Sequence, residues 1–120
     1  MLNRVQFEYN VTAMVLNSTD GPIGAVMRDS VVSSNLSNGI LSIAGQGTSF
    51  TIERSSLLNN VGNAIQSNGA NSLVTIHDST ITGNQVGLSF INGGGIQSAK
   101  NNLIFGNGTN GTPVGGIALQ

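Results

Sequence analysis

The chain has 120 residues, enough for one domain, and a formal net charge of −1 at pH 7. Charged residues make up 8% of it and aromatic residues 4%, whereas about a quarter of an average soluble protein is charged. Only four basic residues could neutralise phosphates, so no binding to nucleic acid is predicted. No run of about 18 apolar residues is present, so no membrane span is predicted. The absence of cysteine excludes disulfides and thiolate metal sites.

An internal repeat runs along the chain, marked by one asparagine per repeat at spacings of 25, 25, 24 and 23 residues. These asparagines are Asn10, Asn35, Asn60, Asn84 and Asn107. Three positions before them stand Phe7, Val32, Leu57, Ile81 and Ile104, and five positions before the last four stand Ser30, Ser55, Ser79 and Asn102. Equivalent residue types at a constant spacing predict the stacked coils of a solenoid.

Each repeat contains three short segments with strand character. In the first segment, apolar residues alternate with polar ones at a period of two, which is typical of a strand. Its apolar columns are Ala25, Phe50 and Val74, and then Met27, Ile52, Ile76 and Ala99. The second segment holds the apolar column three positions before the asparagine. A third strand is predicted to begin at Val15, Ile40, Ile65 and Leu88, and glycine- and asparagine-rich turns follow it.

These patterns predict an all-β fold, a right-handed parallel β-helix of about five coils with three short strands per coil. The single domain spans residues 1–120, with approximate coils 1–22, 23–47, 48–71, 72–94 and 95–120. Stacking places aliphatic residues inside, an asparagine ladder at one corner, and serine and threonine outside. The asparagines suit that corner because asparagine tolerates left-handed backbone geometry. Gly108 to Gly115 are predicted to form a longer loop that folds over the C-terminal end.

Two blocks of sequence, Phe50–Asn60 and Val74–Asn84, resemble the β-helix repeats of the pectin-lyase-like superfamily. The segment Asn101–Thr109, with Gly111-Thr112-Pro113, is similar to the closing coil of bacterial members of that group. The resemblance spans nearly the whole chain and implies a β-helix, with carbohydrate-directed activity in its enzymes.

The sharpest polar feature is a charged strip. The ladder Arg28, Glu53, His77 and Lys100 runs beside Asp29, Arg54, Asp78 and Asn101. A catalytic interpretation makes His77 a general base between Asp78 and Glu53, with Arg54 or Lys100 stabilising a sugar carboxylate. A structural interpretation pairs opposite charges across coils, Arg28 with Glu53 and Asp29 with Arg54 and Asp78, and it is the preferred one.

No cofactor or metal site is predicted, because the sequence has one histidine and five dispersed carboxylates. The serine column is predicted to be a stacked hydroxyl ladder without a nucleophilic role. The predicted function is a non-catalytic structural or interaction module that forms a homo-oligomer through its apolar N-terminal coil. The alternative is a carbohydrate-binding or polysaccharide-modifying β-helix with a polysaccharide as partner. A fragment of a longer protein is predicted to be secreted or at the cell surface, and a complete chain cytoplasmic.

Overall fold

A computed structural model describes residues 1–99, 101–113 and 115–117. All regular structure in this part of the chain is β-strand. The strands in chain order are β1 (Leu2–Asn3), β2 (Gln6–Glu8), β3 (Met14–Asn17), β4 (Ile23–Arg28), β5 (Val31–Ser33), β6 (Ile40–Ile43), β7 (Thr48–Glu53), β8 (Ser56–Leu58), β9 (Asn63–Asn68), β10 (Ser72–His77), β11 (Thr80–Thr82), β12 (Val86–Ile91), β13 (Gly95–Ala99), β14 (Leu103–Phe105) and β15 (Gly115–Ile117).

The strands form three parallel sheets, each built from strands that recur once per coil. Sheet A has six strands in the order β1-β4-β7-β10-β13-β15. Sheet B has five, β2-β5-β8-β11-β14, and sheet C has four, β3-β6-β9-β12. Within each sheet, a strand pairs in parallel with the strand three places before it in the chain, as a β-helix requires. The predicted fold class, with three strands per coil, is confirmed.

About four coils are complete. The first four contribute a strand to each of the three sheets, and the fifth contributes β13 and β14. In place of a strand in sheet C, the described part of the fifth coil makes a single bridge from Thr109 to Val86. Strand β15 then adds a sixth strand to sheet A.

The core is a set of aliphatic columns that run along the axis. In sheet A, Met27 stacks on Ile52 and Ile52 on Ile76, and all three are fully buried. In sheet B the column is Phe7, Val32, Leu57, Ile81 and Ile104. These residues form strands because apolar side chains pack well against apolar neighbours one coil away, about 4.8 Å along the axis.

Two predicted columns are out of register by one residue. Met14, rather than Val15, stacks on Ile40, and Val15 faces outward with 53% of its surface exposed. The shift arises because the first coil has one residue fewer between its asparagine and its third strand than the next coil has. Since successive side chains of a strand face opposite sides, a shift of one residue reverses the direction of each side chain.

The second shift is in the fifth coil, where Ser98, rather than Ala99, pairs with Ile76. Ser79 follows Ile76 by three residues, whereas Asn102, its counterpart, follows Ser98 by four. The bend after β13 is therefore one residue longer than in the coil before. A constant spacing between each column and the repeat asparagine does not reveal this insertion.

Candidate functional site

The five repeat asparagines form a continuous ladder at the corner between sheets B and C. Oδ1 of Asn60 accepts two hydrogen bonds from Asn35, one from the backbone N–H at 3.2 Å and one from Nδ2 at 2.8 Å. Asn84 accepts the same pair from Asn60 at 2.9 and 2.8 Å. The pattern also joins Asn10 to Asn35 and Asn84 to Asn107. The predicted asparagine ladder is therefore present in every coil.

The second N–H of each amide is also bonded within the stack. Nδ2 of Asn60 donates to the backbone oxygen of Val32 at 3.2 Å, and Nδ2 of Asn84 donates to that of Leu57 at 3.0 Å. A buried amide costs free energy unless its donors and acceptor are paired, and this arrangement pairs them all. Asn35, Asn60 and Asn84 can therefore lie buried at this corner, each at most 2% exposed.

The left-handed backbone geometry predicted for the ladder asparagines lies one residue earlier. At this corner, the residues with positive φ are Tyr9 (59°), Ser34 (55°), Asn59 (55°), Gly83 (74°) and Gly106 (65°). The chain turns at this residue, and the following asparagine directs its side chain inward. The prediction was wrong in position, because the ladder asparagines use their side-chain amides and leave the left-handed geometry to the residue before them.

A second polar ladder lies at the corner between sheets A and B. The backbone N–H of Ser30 donates to Oγ of Ser55 at 3.1 Å, and that of Ser55 donates to Oγ of Ser79 at 3.2 Å. Each hydroxyl donates back to the carbonyl two residues earlier, for Ser55 that of Glu53 at 2.8 Å. These three serines are 2–3% exposed. The hydroxyl ladder is present, but it is buried rather than outside as predicted.

The charged strip begins just before this serine ladder. Arg54 contacts Asp29 in the neighbouring coil through two hydrogen bonds, from Nε to Oδ1 at 2.9 Å and from an Nη atom to Oδ2 at 3.2 Å. Nε of Arg28 lies 2.7 Å from Oε2 of Glu53, although its N–H is not aligned for a hydrogen bond. Two of the predicted pairs, Arg28 with Glu53 and Asp29 with Arg54, are thus present.

The predicted pair of Arg54 with Asp78 is absent from the ion pairs of the described residues. Oδ1 of Asp78 instead accepts a hydrogen bond from Nδ2 of Asn101 at 2.8 Å. Arg54 is already held on its other side by Asp29, and its Nη1 lies 3.8 Å from Glu53. Its charge is directed toward the N-terminal coils. The predicted strip residue Lys100 lies outside the described residues.

The candidate general base, His77, stacks on Glu53 in sheet A and is followed by Asp78. In the part of the chain that the structure describes, its ring has no hydrogen bond to either carboxylate. Its backbone oxygen accepts from the N–H of Arg54 and from Oγ of Ser79. The structure thus brings Glu53, Arg54, His77 and Asp78 onto neighbouring coils without joining the histidine to an acid.

Among the described residues, two carboxyl groups have a lowered pKa. The hydrogen bond from Arg54 lowers the pKa of Asp29, and hydrogen bonds from Gln6 and then Ser33 lower the pKa of Glu8. The same contact with Asp29 raises the pKa of Arg54. A hydrogen bond to the charged form favours that form, so these carboxyls are held ionised. Each of these two carboxylates accepts a hydrogen bond from a side chain of a neighbouring coil.

One polar cluster was not anticipated from the sequence. Oγ of Ser72 is 2.8 Å from Oγ of Ser42 and 2.7 Å from that of Ser67, and all three residues are at most 3% exposed. The nearby Thr48 is also buried, and its hydroxyl has no hydrogen-bond partner among the described residues. The alternation of inward and outward residues along a strand could have identified this cluster, since Ser42 and Ser67 occupy inward positions in their strands.

Among the described residues there is no group of three or more potential metal ligands. The same part of the chain contains no helix of the length and apolarity needed to cross a membrane. Comparison of the chain with protein-family models, with curated proteins and with solved structures finds no match.

Proposed function

We propose that this chain is a non-catalytic structural or interaction β-helix module that self-associates through its N-terminal coil. The proposal is supported by the regular polar ladders and by the charged strip, in which most side chains pair with one another. We assign the coil type to the pectin-lyase-like superfamily and to its bacterial members, on the basis of the blocks Phe50–Asn60 and Val74–Asn84.

The observation that carries self-association is a difference in burial between the first two coils. Leu2 stacks on Met27, Phe7 on Val32 and Met14 on Ile40. The three residues of the second coil are fully buried, whereas the three of the first coil are only partly buried. Covering the first coil with a second copy would remove this remaining apolar surface from water, which favours association.

The edges of the first coil support the same proposal. Strands β1, β2 and β3 are the outermost strands of their sheets. Each has a partner on one side only in the described part of the chain, so its other edge presents backbone N–H and C=O groups for pairing. Unpaired strand edges are ready templates for another chain.

Sedimentation velocity over a range of concentrations, compared for three proteins, tests the proposal. We expect the wild-type chain to associate and Leu2→Lys to weaken association at least about tenfold, because a charge would be buried at the interface. Val61→Lys is the matched control, since Val61 is 60% exposed and lies on the side of the stack. A wild-type chain that is monomeric at every concentration would contradict the proposal, as would unchanged association of Leu2→Lys.

The second candidate is carbohydrate binding on the side of the stack formed by sheet B and by the turn that follows it, where Phe105 and Tyr9 lie. Tyr9 and Phe105 are 77% and 54% exposed and belong to the first and fifth coils, four coil spacings or about 19 Å apart. Aromatic side chains at such a spacing could stack on two sugars of one extended polysaccharide. A glycan array with the wild-type chain and with Tyr9→Ala/Phe105→Ala tests this function, and retention by the double variant would exclude it.

A further inference from the structure

The C-terminal end of the asparagine ladder is closed by a residue of the same coil. The backbone N–H and Nδ2 of Asn107 donate to Oδ1 of Asn110 at 3.2 and 3.0 Å. The same two donors of Asn84 reach Oδ1 of Asn107, one coil farther along the axis, at 2.9 Å each. Asn110 therefore supplies the acceptor that the asparagine of a sixth coil would supply.

Main-chain contacts hold Asn110 in this position. The N–H of Leu88 donates to the backbone oxygen of Asn110 at 3.0 Å, and that of Gly87 donates to the oxygen of Thr109 at 2.8 Å. The segment is thus fixed to the start of β12. Its side chain occupies the place in which the asparagine of a further coil, from this chain or from a second copy, would lie.

The N-terminal end of the ladder is different. Oδ1 of Asn10 receives no hydrogen bond from any described residue. In the serine column, the first position holds Val5, whose N–H donates to Oγ of Ser30 at 3.1 Å. Valine has no hydroxyl to accept a bond from a preceding coil.

We propose that Asn110 closes the C-terminal end of the β-helix to a second copy, so that copies meet only through their N-terminal coils and form a closed pair rather than a filament. The proposal rests on the self-association proposed above and specifies its geometry. Contact between two identical N-terminal faces obeys a two-fold axis and ends with two copies, whereas head-to-tail contact repeats without closing.

Without this cap, the C-terminal end of one copy could stack on the N-terminal coil of the next, as successive coils of the chain already stack on one another. The outer strands of sheet B are β2 and β14, and their inward residues, Phe7 and Ile104, belong to one aliphatic column. Asn107 offers two donors and Asn10 of a second copy offers the matching acceptor. Asn110 satisfies those donors first, and Val5 removes the corresponding match at the serine column.

The test compares two double variants that differ at one position. Val5→Ser/Asn110→Ala restores the hydroxyl acceptor at one end and removes the cap at the other. Val5→Ser/Asn110→Asp is the matched control, because its carboxylate still accepts both bonds from Asn107. By light scattering, we expect the first variant to grow beyond a pair as concentration rises, and the control to stop at the mass of the wild-type chain.

Growth of the wild-type chain beyond a pair would overturn the proposal, as would equal masses for two folded double variants. Amide exchange measured by NMR on the wild-type chain covers the case in which the alanine variant does not fold. In the wild-type chain, the bonds to Asn110 predict slow exchange of the backbone N–H and Nδ2 protons of Asn107. Rapid exchange of these protons would refute the cap. A strictly monomeric wild-type chain would refute the proposed self-association, while the alanine variant would still decide whether Asn110 blocks stacking.

Discussion

The asparagine ladder and the charged strip are built on the same plan, with one residue per coil in parallel register, yet their environments are opposite. Asn60 is 1% exposed and its amide is fully paired, whereas the side chains of Arg54 and Asp29 are 52% and 37% exposed in their ion pair. Hydrogen bonds that cannot be replaced by water contribute much more to stability than exposed ion pairs do. We therefore expect burial, more than formal charge, to determine which ladder stabilises the stack.

The largest effect is expected for Asn60→Ala. The substitution removes the acceptor of two donors of Asn35 in a buried corner, its backbone N–H and one N–H of Nδ2. Each unpaired buried group costs about 1–3 kcal/mol, so we expect a loss on the order of 4 kcal/mol in the free energy of unfolding. Urea denaturation measures it.

Asn59→Gly is the control for this substitution. Asn59 is exposed, its φ is 55°, and its side chain makes no hydrogen bond with a described residue. Glycine adopts positive φ without strain, so this variant is expected to stay within about 0.5 kcal/mol of the wild-type chain. Similar losses for the two variants would show that the ladder amide is not the source of the stability.

An intermediate effect is expected for Ser55→Ala. The variant leaves the buried N–H of Ser30 without its acceptor, at a cost of about 1–2 kcal/mol. Ser49→Ala makes the same chemical change at an exposed position of β7 and should be nearly neutral. Thermal unfolding of both variants gives the difference, and a Ser55→Ala midpoint equal to that of Ser49→Ala would contradict a supporting role for the serine ladder.

A smaller, salt-dependent effect is expected for Arg54→Asn. Asparagine tolerates the φ of 43° found at this position, so the substitution tests the ion pair with little change in backbone strain. The denaturation midpoint should fall slightly at low ionic strength and match that of the wild-type chain at about 1 M salt, where exposed charges are screened. Arg4→Asn is the control, with a φ of 55° and no ion pair among the described residues. Its midpoint should depend on salt less than that of Arg54→Asn, because Arg4 acts on Asp29 without a hydrogen bond.

The smallest effect is expected from the titration of Asp29. Its pKa is lower in the folded protein than the ordinary 3.8, so the ionised group stabilises the fold above that pH. The contribution is lost as pH falls through the lowered pKa. Urea denaturation from about pH 6 to about pH 2 should show the advantage over Asp29→Asn shrinking in the acid range. An advantage that grows with acid would reverse the sign and refute the assignment.

The sequence predicted those features that depend on the repeat itself. The asparagine spacing identified the ladder, and the apolar columns identified the core, because stacking requires the same residue type in successive coils. The positions of Met14 and Ser98 were missed because the repeat changes length inside a coil, and spacing between asparagines does not locate the change.

The candidate site was predicted less completely than the fold. Pairing of Arg54 with Asp29 rather than Asp78 depends on the direction of a long side chain, which residue spacing does not specify. The cap at Asn110 was missed for a related reason. It lies outside the repeat period, and only its hydrogen bonds to Asn107 identify it.

The orientation of the ladder amides has an electrical consequence. One Nδ2–H of each asparagine from Asn10 to Asn107 donates to the next amide oxygen toward the C-terminal end, and the second donates to a nearby backbone carbonyl. The dipoles of the amide-to-amide bonds add along the axis, and hydrogen bonds aligned in a chain polarise and strengthen one another. The ladder bonds together form a dipole along the axis, with its negative end at Asn10 and its positive end at Asn107. Asn110 meets the positive end with the negative end of its own amide.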